Sequence, residues 1–210
     1  MNRISKHLIP AVFIAGAVAL PLSLAGCGSS GSGGGSIGSG GTVADARELT
    51  ARADRAFLDN DFRQAEALYR QSLSIFREQP GALNNLGNAL VAMERYLDAE
   101  EVYKQAIEVD PSRPEVHGNR GRLWLEAGYP REAILYFNEA LELDPRWMPA
   151  IRGKAKASHL LSIADERYLR MLREAMILES NASWRAFFDS ERSRVQDALR
   201  AESEISASSS

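Results

Sequence analysis

PGALNNLGNALVAMERYLDAEEVYKQAIEVDPSR, residues 80–113, runs without a gap into PEVHGNRGRLWLEAGYPREAILYFNEALELDPRW, residues 114–147. At an offset of 34 residues the segments pair Gly87 with Gly121, Ala99 with Ala133, Tyr103 with Phe137, Ala106 with Ala140 and Pro111 with Pro145. A third copy lies upstream at 46–79. There Ala53, Ala65, Tyr69 and Ser72 hold the same columns, and Arg77 replaces the proline. Self-similarity at such a period means one supersecondary unit stacked on copies of itself. Leu83, Leu86 and Leu90, then Ala99, Tyr103 and Ala106, fall at helical spacing, which predicts two helices per unit.

Each column has a physical reason. Ala53, Gly87 and Gly121 let the first helix of a unit approach the second, and Ala65, Ala99 and Ala133 do the same from the other side. Tyr69, Tyr103 and Phe137 fill the space between neighbouring units. Asp110-Pro111 and Asp144-Pro145 end a helix, because proline cannot continue one and restricts the residue before it. Gly128 closes the first helix of its unit, and Pro130 suits the first turn of the next. His117 and Arg120 stand where the preceding unit has Leu83 and Leu86, so the apolar pattern lapses there.

A degenerate fourth unit begins at Met148, with Ile151, Ala155 and Leu160 on one helix face. Its second half departs, since Arg167 and Glu174 fall where small residues belong. Helices are still predicted over Asp165–Leu178, from Tyr168, Leu169, Leu172 and Met176, and over Ala182–Ala201. Asn181 caps the latter. Trp184, Phe188, Val195 and Leu199 share one side of it. Residues 165–202 read as capping helices over the open end of the stack, followed by a disordered tail at 203–210.

Residues 46–147 resemble the tetratricopeptide repeat (TPR) family on these columns. The resemblance implies an all-α fold: a TPR helical-hairpin solenoid over 44–164 with a C-terminal capping helical region. It also implies that positions 2, 5, 9, 12 and 13 of each unit line a concave groove. Those positions place Asn84, Asn88, Arg122, Arg152 and Lys156 there, a polar strip with a basic end. Asparagine amides suit the backbone of an extended peptide, because each offers donor and acceptor. Arginine and lysine suit its acidic groups. Asn85, Asn88 and Asn119 also sit where the family commonly carries asparagine, so repeat consensus accounts for part of the strip. At the positions of the family's carboxylate clamps this chain has Pro149 and Gly153, so a C-terminal tail is not specified.

The amino-terminal end reads differently. Arg3 and Lys6 precede an apolar run from Leu8 to Leu24, which ends in Leu24-Ala25-Gly26-Cys27. A basic start, an apolar stretch and small residues at the cut site describe a secretory signal peptide, 1–26. Pro10 and Pro21 argue against a permanent span. Leu-Ala-Gly-Cys resembles the bacterial lipobox, which implies lipidation of Cys27. With Gly28 rather than Asp next, it also implies the outer membrane, facing the periplasm. Residues 27–43 join the lipid to the repeats through GSSGSGGGSIGSGGT, a flexible coil. Cleavage would take the bases from 25 to 23 against 28 acids, a net charge of −5. Charge would then not help the chain onto anionic lipid, so the lipid does the anchoring.

Composition narrows the chemistry. The net charge of −3 gives no electrostatic case for nucleic acid, and a single Cys removes disulfide frameworks and cysteine-pair zinc motifs. No HExxH, GxSxG, P-loop or GxGxxG occurs, and His7, His117 and His159 lie in no catalytic spacing. The expectation is a non-catalytic scaffold without cofactor, metal or small-molecule substrate, whose partner is an envelope protein or peptide segment. Small TPR lipoproteins resemble assembly factors of type IV and tight-adherence (Flp) pili, which act on a secretin. Adaptors that recruit peptidoglycan-remodelling enzymes fit the same features. Trp184, Phe187 and Phe188 either cap the solenoid or pair two copies.

Overall fold

The computed structural model describes residues 41–208. The expected signal segment, Cys27 and nearly all of the Gly/Ser stretch lie outside them. Among the described residues the chain forms helices α1 (Val43–Leu58), α2 (Phe62–Ile75), α3 (Pro80–Ala92), α4 (Tyr96–Val109), α5 (Pro114–Glu126), α6 (Pro130–Leu143), α7 (Met148–Leu160), α8 (Glu166–Leu178) and α9 (Ala182–Ser208). No strand occurs among them, and no helix is long and apolar enough to cross a membrane.

Local sequence sets the helix starts. Thr42 and Asp45 form a capping box on α1, with Thr42 N donating to Asp45 at 2.6 Å and Asp45 N to Thr42 Oγ1 at 3.2 Å. Asp61 and Asp165 cap α2 and α8 by accepting from Gln64 N at 3.1 Å and Tyr168 N at 2.7 Å. Proline stands in the first turn of α3, α5, α6 and α7, where its missing N–H is harmless. Asn181 Oδ1 accepts from Trp184 N at 3.1 Å at the head of α9.

The stops repeat as strictly as the core. Asn60, Glu94, Gly128 and Ser162 all have positive φ, at 61°, 59°, 89° and 53°. Each follows the first helix of a unit at the same register. Arg95 N bonds to Leu90 O at 2.9 Å and Tyr129 N to Trp124 O at 2.8 Å, so the turn satisfies the last helical carbonyls. Only one of the four positions is glycine, and at the others a Cβ crowds a carbonyl. Glu94 is exposed. Glu94→Gly is expected to raise stability by about 0.5–1 kcal/mol, the relieved crowding less the extra chain entropy of glycine. Urea unfolding followed by circular dichroism measures it, and an unchanged or lowered midpoint would refute the strain.

Consecutive helices pack as hairpins, and α1, α3, α5 and α7 follow one another along an inner layer. The inter-unit rings Tyr69, Tyr103 and Phe137 are all buried. A Cβ at Gly87 would collide with the Tyr103 ring, and one at Gly121 would lie 2.7 Å from that of Phe137. One core runs from Ala53 to Leu123 through the first units. Phe137 sits among Ala133, Ala140, Ala150 and Ala157, and joins this core to α7. A further core gathers Ile151 and Ala155 of α7, Tyr168, Leu169 and Leu172 of α8, and Phe188 and Val195 of α9.

The lapse at His117 and Arg120 is compensated by pairing. His117 Nδ1 lies 3.0 Å from Glu139 Oε2, and Nε2 lies 3.1 Å from the Pro111 carbonyl. Arg120 donates through Nε to Glu100 at 2.9 Å and lies 4.0 Å over the Tyr136 ring. Two expectations need correction at the carboxyl end. The last helix does not stop at Ala201, and residues 203–208 are helical rather than disordered. Ala201, Glu202 and Glu204 favour helix, no glycine or proline intervenes, and the Ser206 and Ser208 hydroxyls bond back to the Glu202 and Ile205 carbonyls.

Candidate functional site

Position 9 of the four units is Asp54, Asn88, Arg122 and Lys156, spaced by 34 residues along the inner layer. In the first two units this column is tied down from within. Tyr69 donates its hydroxyl to Asp54 Oδ1 at 2.5 Å, and Asn85 Nδ2 donates to the same oxygen at 3.0 Å. One unit on, Tyr103 donates to Asn88 Oδ1 at 2.8 Å, and Arg122 Nη2 reaches back to that oxygen at 2.8 Å. Burial pushes both phenols up, so they stay protonated donors. In the third unit the ring is Phe137, which has no hydroxyl, and the ladder stops.

Asn84 corrects an expectation. It was placed on the open groove, yet it is only 7% exposed. Its Oδ1 accepts from Asn119 at 2.9 Å and its Nδ2 donates to Asn85 at 3.2 Å, so both ends of the amide are taken up inside the protein. A depression of about 230 Å³ between the first units is lined by Asp54, Asn85 and Asn88, whose polar groups are already paired.

Beyond the ladder the inner face opens. A cleft of about 540 Å³ lies between α5, α7 and the first turns of α9. Arg122 and Lys156 line it, together with Trp147, Phe137, Trp184 and Phe187. Two glycines make its floor. A Cβ at Gly118 would collide with the Trp147 ring, and one at Gly153 with that of Phe137. Gly118 occupies the column where the preceding unit has Asn84. Loss of that side chain lets an indole lie where an amide would stand. Trp184 packs edge-on to Phe187, with centroids 5.6 Å apart.

The cations on this cleft differ in availability. Arg152 donates Nε and Nη2 to the two oxygens of buried Glu179 at 2.7 and 2.6 Å, and stacks 5.3 Å from Trp184. It lines the cleft, and its fork binds α7 to the α8–α9 connection. Arg122 is shared between Asn88 and Glu126, the latter at 4.0 Å. Lys156 is exposed, its ammonium 5.0 Å above the Trp184 ring. His159 also lines the cleft, and its Nδ1 donates to Glu191 at 2.7 Å.

Beneath the cleft sits a buried polar hub. Glu191 accepts from His159, from the Tyr168 hydroxyl at 3.1 Å and from Arg194 Nη2 at 2.9 Å, while Arg194 also donates to the Ile163 carbonyl at 2.8 Å. Burial alone would raise the Glu191 carboxyl, but the bonds from Arg194 and His159 outweigh it and hold the group below its ordinary value. Arg152 does the same for Glu179.

The cleft sets half-buried aromatic rings beside cationic groups. No cluster able to hold a metal occurs among the described residues. Sequence reasoning brought Arg122 and Lys156 together but missed the aromatic wall. The signal available was Gly118 in a column where side chains point inward.

A tetratricopeptide repeat model matches residues 84–146. No curated protein matches the sequence. The first TPR of Spaghetti (RPAP3) bound to the HSP90 peptide SRMEEVD is similar in structure, with a TM-score of 0.55 at 20% identity, over 60% of this chain and all of that one. The Sgt2 TPR domain from Aspergillus fumigatus gives 0.55 at 21% identity, over 59% of this chain and 83% of the other. The Arabidopsis OM64 TPR domain gives 0.55 at 17%, over 57% and 99%. The fold is an all-α TPR solenoid.

Proposed function

We propose that the chain is a non-catalytic scaffold, held at the outer membrane by lipid on Cys27 and facing the periplasm, that retains a segment of another envelope protein. The machine it serves in this reading is a pilus or secretin assembly. The observation that carries the binding role is the cleft of about 540 Å³, where the internal ladder ends and Arg122, Arg152 and Lys156 stand beside half-buried aromatic rings. Stacked repeats bury little ligand-sized volume but present a long surface, which favours protein partners. The Leu-Ala-Gly-Cys motif at the end of an apolar run supports the anchor. Two or more acyl chains would give lasting attachment.

The test is capture from the envelope of the source bacterium with the full chain as bait, in detergent. Arg122→Glu with Lys156→Glu serves as the comparison bait, and Cys27→Ser is fractionated in parallel. Recovery of a secretin or pilus subunit by the unaltered bait, lost with the charge-reversed one, is the expected outcome. Recovery of cell-wall hydrolases would replace the pilus assignment with an adaptor role. Cys27→Ser protein that still sediments with outer membrane would overturn the lipid anchor.

A further inference from the structure

The proposal concerns what the cleft accepts, and it rests on the scaffold reading above. Its walls combine two tryptophans with two phenylalanines, and its volume lies within the range of sites that enclose a substantial ligand group. Apolar surface of this kind is favourably covered by a bulky apolar side chain, and rings add edge and stacking contacts. Leu160 at the rim is 64% exposed, so the apolar surface continues outward.

The charge beside this surface is unevenly balanced. Arg152 is neutralised by Glu179, and Arg122 faces Glu126. Lys156 has no carboxylate partner among the described residues and is held over Trp184 by cation–π attraction. One ammonium complements one side-chain carboxylate. A chain-terminal carboxylate held as a clamp needs several donors converging on it, and here Pro149 and Gly153 occupy the neighbouring inner positions while the arginine between them is already bound.

We propose that the cleft takes an internal segment of a partner protein, in which a Phe, Trp or Leu side chain enters between Trp147 and Trp184 and an adjacent Asp or Glu pairs with Lys156. The helix α9 is then part of the binding site, because it supplies Trp184 and Phe187, and specificity is divided between the repeats and the capping helix.

The probe is a display library of random twelve-residue peptides fused at both ends, selected on the full chain. The expected result is enrichment of at least about tenfold for sequences with Phe, Trp or Leu within two residues of Asp or Glu. Lys156→Glu, on an exposed position, is expected to exchange the acidic flank for Lys or Arg while keeping the apolar anchor. A misfolded variant would not produce such a switch. Trp184→Ala with Phe187→Ala is expected to abolish enrichment, its helicity being checked by circular dichroism. No enrichment on the unaltered chain, enrichment without the acidic flank, or an acidic flank retained by Lys156→Glu would each overturn the proposal. If the Trp184→Ala, Phe187→Ala chain still captures the envelope partner in full, the scaffold reading stands and this one falls.

Discussion

Phe137→Ala is expected to destabilise the protein by about 3–5 kcal/mol, the range for removing a buried aromatic ring. The site collapses poorly because its fully buried neighbours are already minimal. Phe137 is 2% exposed and is packed against the backbones of Gly121 and Gly153 and the methyl groups of Ala133, Ala140, Ala150 and Ala157. None of these has a longer side chain to swing into the void. The ring also joins the third unit to α7, and in a stacked array stability travels through such nearest-neighbour contacts. Urea unfolding by circular dichroism is therefore expected to change shape as well as midpoint. The single transition should separate into two, with α7–α9 melting first. A loss under about 2 kcal/mol, or one sharp transition at a lower midpoint, would show that the array couples by some other route.

Glu191→Ala is expected to cost about 1.5–3 kcal/mol, in the range for removing hydrogen bonds made to a charged group, since Arg194 and His159 stay partly in water. Arg194 and the Tyr168 hydroxyl would each lose one acceptor, keeping the Ile163 and Ala155 carbonyls, and His159 would lose its tie to α9. Acid titration gives the same hub a second readout. Glu191 and Glu179 are both held below the ordinary glutamate value of 4.5 in the folded state. A depressed carboxyl contributes stability that is fully present above its unfolded value and is lost as pH falls through its folded one. The capping helices should thus keep a constant stability above about pH 4.5 and lose it below. Glu191→Gln should flatten part of that acid limb, whereas a limb of unchanged slope would remove Glu191 as its source. Fluorescence of Trp184 follows the event, since this indole packs on Phe187 and Phe188 at the start of α9.

Much of the fold is legible in the chain because a repeat displays the same answer several times. One apolar residue is ambiguous, but Tyr69, Tyr103 and Phe137 at equal spacing admit one packing, as do Ala65, Ala99 and Ala133. The turn at Gly128 was readable from its glycine. Its counterparts at Asn60, Glu94 and Ser162 were not, because the repeat's packing imposes a backbone conformation that Glu and Ser do not themselves favour. The tail was misread for the opposite reason. A run of serines suggested fraying, yet the residues before it carry strong helix propensity and nothing breaks the helix before Ser208.

The inner positions of the candidate site were legible, but their availability was not. Column counting located Asn84, Asn88, Arg122, Arg152 and Lys156 without distinguishing them. Whether a polar group is free depends on what lies across from it, and those partners come from distant parts of the chain. Asn84 meets Asn119, Arg152 meets Glu179, and Lys156 meets Trp184 through the placement of α9. Periodicity by itself determined the helices, their order, the inter-unit core and the direction of the inner face, because local spacing and neighbouring-unit packing repeat in the sequence. Only the tertiary structure decided where that face is closed by its own hydrogen bonds and where it is open, because that depends on contacts between residues that no repeat relates.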